Sequence, residues 1–148
     1  MKMELIQPFI NAADAVLAET LQCPARMEEV SMEPGVYQRH GLAALVDIRG
    51  DIEGRIVFDI EPAIAARLAA SLGADAGSDE MLGETVCELA NLVIGNAVTT
   101  LNDEGFHFKV HPPQLHRAEH GIAGSDDTEA LVMCFDTPSG KAFLNIAM

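Results

Sequence analysis

The sequence predicts an α+β fold, a single domain spanning residues 1–148 in which helices pack on a largely antiparallel sheet. Two observations carry this. GETVCELANLVIGNA, residues 83–97, repeats its apolar residues at spacings of 3 and 4, the period of a helix that buries one side. Two pairs of apolar stretches, LAALVDI with RIVFDI and EALVMCF with KAFLNIA, are joined by the short polar turns RGDIEG and DTPSG and read as hairpins. Because helical and strand segments do not alternate strictly, a doubly wound parallel sheet fits poorly.

The elements follow in order. Residues 8–21 place Ile10, Ala13, Leu17 and Leu21 on one face of a first helix, with Pro8 in its first turn. After Cys23 and Pro24, RMEEVSM reads as a short strand, and the first hairpin follows. A second helix is expected from about Glu61 to Ser71, with Pro62 near its first position and Gly73 past its end. Ser78 is the expected N-cap of the third helix, followed by Asp79 and Glu80 where the helix dipole favours acids, and this helix runs to about Asn102. FHFKV alternates Phe106, Phe108 and Val110 against His107 and Lys109, so it reads as a strand closed by Pro112 and Pro113. QLHRAEH reads as strand or extended loop before the second hairpin. The apolar stretch KAFLNIAM, without proline or a run of charge, reads as an exposed edge that invites pairing with a second copy.

Composition excludes several classes of function. The chain has 148 residues, 49% apolar, and no low-complexity tract. Nine Lys and Arg against 23 Asp and Glu give a formal charge of −14, which repels nucleic-acid backbones and anionic membranes. The first twenty residues carry acids and no long apolar run, so a cytoplasmic protein without signal peptide or membrane anchor is expected. Cys23, Cys87 and Cys134 are odd in number and lie in apolar surroundings without a CxxC pair, as buried thiols do.

Four histidines, His107, His111, His116 and His120, invite a metal-site reading. On a strand, His107 and His111 share a face but stand roughly 13 Å apart at about 3.3 Å per residue, too far for one ion with bonds of about 2 Å. No metal site is expected. The third helix is more informative. At about 100° per residue, Glu84, Glu88, Asn91, Gly95 and Asn102 fall in one stripe, opposite Leu82, Val86, Leu89, Val93 and Ala97. Asn91 and Gly95 lower helix stability, the glycine by about 1 kcal/mol relative to Ala. Gly95 also removes a side chain where another surface could come close. From spacing alone, a solvated face and a partner surface both stay open.

DEMLGETVCELANLVIGNAVTTL, with PFINAADAVL before it and HPPQL after it, resembles the CheC-FliY-CheX family of chemotaxis phosphatases along the whole chain. That family's central helix carries Asp or Ser, Glu four residues on and Asn three further, commonly followed by Gly-Asn. Glu88, Asn91, Gly95 and Asn96 match, while Glu84 stands where the family has Asp or Ser. Glu88-x-x-Asn91 is the one Glu-x-x-Asn in the sequence, which favours the CheX branch over the two-site CheC branch. The resemblance implies a homodimer that hydrolyses the aspartyl phosphate of a CheY-type receiver domain, the receiver supplying the Mg2+. It further implies that Asn91 orients the attacking water and Glu88 pairs with the receiver's active-site Lys. Glu84 and Gly95 would then be partner-binding, and Asn96, nearer the apolar side, a structural hydrogen-bonding residue. The alternative of the same fold is a non-catalytic module that docks on receivers or flagellar-switch components; the alternative outside the family is a metal-dependent enzyme using the histidines.

Overall fold

The computed structural model describes residues 3–22, 25–34, 37–38, 40–51, 53–71, 79–116 and 129–147. Three helices, α1 (Met3–Leu21), α2 (Pro62–Ser71) and α3 (Asp79–Asp103), pack on one seven-stranded sheet of β1 (Arg26–Pro34), β2 (Leu42–Gly50), β3 (Gly54–Ile60), β4 (Phe108–Val110), β5 (Gln114–His116), β6 (Glu129–Thr137) and β7 (Gly140–Ala147). The strand order is β1-β6-β7-β3-β2-β4, with β5 also on β2, and every pairing is antiparallel. The expected α+β architecture and both hairpins are present.

Three expectations are corrected. α1 starts at Met3, five residues before Pro8, which lies buried inside it. Leu5 and Ile6 extend the same apolar period as Phe9, Ala13, Val16 and Leu17, and burying them outweighs the backbone hydrogen bond that Pro8 cannot donate. FHFKV is a strand only at Phe108–Val110; the Phe106 amide donates to the Leu101 carbonyl at 3.0 Å, closing the turn that ends α3. β7 is no edge. It runs between β6 and β3, with Ala142, Leu144 and Ile146 on the helix face and Asn145 and Ala147 buried on the other, so its apolar character reflects burial from both sides. The open edge beyond β6 is β1, whose Met27, Val30 and Met32 are 46–49% exposed. Ser78, Gly73, Cys23 and His120 lie outside the described residues.

The main core lies between helices and sheet, where Phe9, Leu17, Leu68, Leu89 and Val93 meet Ile48, Phe58, Phe135 and Leu144. The sheet's second face carries a smaller apolar group of Tyr37, Ala43, Val57 and Val132. Asp59 is fully buried there and accepts from the Tyr37 hydroxyl at 2.8 Å, the His40 amide at 2.5 Å and the Gly41 amide at 2.9 Å. A β-carbon on Gly41 would overlap the Ile60 carbonyl, so the backbone reaches Asp59 only because no side chain intervenes. The His40 ring stacks on Phe143 with centroids 3.9 Å apart. Burial and the neighbouring Asp59 charge push the Tyr37 phenol far above its ordinary pKa, which keeps it a donor. These contacts fasten Tyr37, His40 and Gly41, between β1 and β2, to β3 and β7.

Candidate functional site

α3 is 25 residues long and two-faced. Val86, Leu89, Val93, Ala97 and Leu101 are buried against the sheet, α1 and α2, and this anchoring makes the helix a rigid support. Glu84, Glu88, Asn91, Gly95 and Asn102 are all exposed, so the stripe does face away from the core. The structure brings Glu84, Glu88, Asn91 and Gly95 together on one side of one helix. Among the described residues, Glu84, Glu88 and Asn91 have no side-chain hydrogen bond or ion pair. Their polar atoms are available to an incoming group.

Gly95 is exposed, and a β-carbon built there would meet nothing within 4 Å. Packing within the chain therefore does not require the glycine. The hydroxyls of Thr99 and Thr100, one turn further on, donate to the carbonyls of Gly95 and Asn96 at 2.8 and 3.2 Å, so these β-branched residues satisfy themselves locally. Asn96 is exposed, not turned toward the apolar side as its position in the pattern suggested. It lines two shallow grooves of about 470 Å³ each between α3 and α1, one with Gln7, Asn11 and Thr100, the other with Val16, Thr20 and Leu92.

Leu92 escaped the sequence reading. It is 50% exposed beside Asn91, while the apolar residues on either side of it along α3, Leu89, Val93 and Ile94, are buried. The signal was present in the wheel: at about 100° per residue Leu92 lies roughly 40° from Glu88, well off the apolar stripe. The surroundings are acidic, because neither α1 nor α3 contains Lys, Arg or His.

Of the histidines, His107 and His111 are exposed and His116 is half-buried. The His107 amide donates to Asp51 and the His111 amide to the Asp47 carbonyl, so both positions serve to tie the segment around β4 to β2 and its turn. Among the described residues no group of three or more His, Cys, Asp or Glu side chains could hold a metal ion. Among the described residues no helix is long and apolar enough to cross a membrane.

Comparison with known proteins agrees with this geometry. The chain resembles the CheC-like superfamily protein from Shewanella sp. PV-4 at 24% identity and a TM-score of 0.87, covering 99% of this chain and 98% of that one. CheX from Desulfovibrio desulfuricans is similar at 20% identity and a TM-score of 0.83, over 98% and 99% of the two chains. A chain in the CheX–CheY–BeF3–Mg2+ complex from Borrelia burgdorferi is 28% identical with a TM-score of 0.72, over 99% and 98%. No curated protein sequence matches. The family model described as chemotaxis phosphatase CheX matches residues 42–136, a span that contains α3 entire with Glu88 and Asn91. By that match, over more than half of its length, the chain belongs to the chemotaxis phosphatase CheX family.

Proposed function

We propose that this protein hydrolyses the aspartyl phosphate of a CheY-type receiver domain, and so ends a chemotaxis or two-component signal. The observation that carries the reading is the exposed, unpartnered pair Glu88 and Asn91, three residues apart on a helix anchored from behind by Val86, Leu89 and Val93. The CheX–CheY–BeF3–Mg2+ complex supports the choice of partner, since it joins a relative to a receiver carrying a phosphoryl-like group and the metal.

The chemistry asks little of this chain. A water oxygen attacks phosphorus, the bond from phosphorus to the aspartyl oxygen breaks, and the carboxylate leaves with the electron pair. The receiver's Mg2+ stabilises charge on the phosphoryl oxygens, so the missing element is a water held in line. The Asn91 amide accepts through its oxygen and donates through its nitrogen, and can orient that water without changing protonation. The Glu88 carboxylate, one turn back, pairs with the receiver's active-site Lys and fixes the register of docking. Glu84 lies one further turn back on the same face and extends the contact, with a longer side chain than the family's Asp or Ser. Gly95 leaves the backbone open to close approach.

The protein acts as a homodimer in the cytoplasm in this reading. The pairing surface is the open edge at β1, where Met27, Val30 and Met32 are exposed, in place of the interior β7.

Single-turnover dephosphorylation of a saturating phosphorylated receiver, by wild type and by Asn91→Ala, tests the function. The rate should fall by roughly 10²- to 10³-fold, as when one preorganised polar group is lost, with binding unchanged. Equal rates would refute catalysis by Asn91, and retained binding would then leave a docking module.

A further inference from the structure

A single exposed leucine is ordinary on a protein surface; the position of Leu92 is not. It follows Asn91, stands one turn from both Glu88 and Gly95, and with Met3 is one of two exposed large apolar residues on the three helices. Asn91 lies about 60° from Glu88 in one direction and Leu92 about 40° in the other, so Glu88 is flanked by both. A protein partner covers about 800 Å² on each side, far more than the width of a single helix face. A receiver that engages both Glu88 and Asn91 therefore covers Leu92 as well. Beside it runs the groove walled by Val16 and Thr20 of α1, with Ser71 from the end of α2. Glu19 of α1 lines this groove, and Glu88 lies exposed one turn before Leu92 on α3, two helices without cations.

We propose that Leu92 is the apolar anchor of receiver docking. It inserts into a depression on the receiver's phosphorylation face, and Lys or Arg residues bordering that depression meet the acidic rim. An apolar centre within a polar rim is the arrangement that concentrates binding energy in few residues. The inference rests on the phosphatase reading above and adds to it the residue that sets affinity for the receiver.

The test measures Kd for a receiver activated with beryllofluoride and Mg2+, and KM and kcat for the phosphorylated receiver, using the full chain. Leu92→Gln and Leu92→Lys keep helix propensity and should raise Kd and KM roughly 10-fold or more, a rise that exceeds any fall in kcat. Leu92→Met should stay within about threefold, as volume-conserving apolar exchanges do. Met3→Gln, equally exposed at the start of α1, is the control and should leave Kd unchanged. Wild-type binding that Leu92→Gln and Leu92→Lys leave within twofold would overturn the proposal alone. A weaker Kd accompanied by lower melting temperatures in both variants would assign Leu92 to the fold and overturn it too. Failure of the wild type to bind any activated receiver would overturn the phosphatase reading and, with it, this one.

Discussion

Replacing Gly95 by Ala should make the protein more stable and a poorer partner at once. Gly95 is in the interior of α3, has no positive φ, and offers open space where the new methyl would sit. Without a steric cost, the helix gains the difference in propensity between the two residues, about 0.8–1 kcal/mol, partly by restricting the unfolded chain. A chain of 148 residues with an unfolding entropy of about 2.1 cal/mol/K per residue converts this into a rise in Tm of about 3 °C. The same methyl would stand between an approaching receiver and the backbone. Overpacking of a close contact by one methyl costs about 1–3 kcal/mol, a loss of roughly 5- to 150-fold in Kd. Thermal melts followed by circular dichroism, at matched protein concentration, and titration calorimetry against beryllofluoride-activated receiver provide the two numbers. A lower Tm would refute the claim that packing does not need the glycine. A raised Tm with unchanged Kd would refute close approach at Gly95.

Glu88→Gln should weaken receiver binding by about 2 kcal/mol or more where the lost ion pair is desolvated, with little change in Tm because the carboxylate is exposed and without an ion-pair partner among the described residues; calorimetry showing equal affinity would remove the anchoring role. Asp59→Ala strands the Tyr37 hydroxyl and two amides on the second face of the sheet, so urea unfolding should show a loss of about 3 kcal/mol or more, and a loss under about 1 kcal/mol would show that these bonds do not hold the connection. Val30→Lys at the open edge should convert the proposed dimer to monomer in sedimentation at micromolar concentration without unfolding it, whereas an unchanged dimer mass would place the contact elsewhere.

What the sequence revealed followed from periodicity. The two hairpins, the buried side of α3 and the exposure of Glu88 and Asn91 depend on spacings of 2 or 3.6 that each segment carries within itself. Strand order does not. The lack of proline or a run of charge in KAFLNIAM predicts an exposed edge, yet an apolar strand with buried residues on both faces belongs in the middle of a sheet, and β7 is there. Nothing local marks Asp59 as buried, because its donors come from Tyr37 to Gly41 across a connection whose path depends on the whole sheet. The preference of proline for a first turn predicts a start at Pro8, but the buried Leu5 and Ile6 before it carry α1 back to Met3. Leu92 was legible in angle but looked like one more apolar residue in an apolar run, and its exposure depends on how α1 and α2 leave room beside α3.

The strand order also governs the sequence of events in folding. β1 pairs with β6 alone among the described strands, joining Arg26 to Asp136 across 110 positions of chain, and β7 then links that pair to β3. During synthesis the β2–β3 hairpin and the helices can form early, but β1 has nowhere to go until β6 and β7 have emerged. The long loops that close on these pairings slow folding, and in the meantime β1 must remain soluble unpaired. Glu28, Glu29 and Glu33, interspersed among Met27, Val30 and Met32, supply the charge that keeps this segment in solution until β6 arrives.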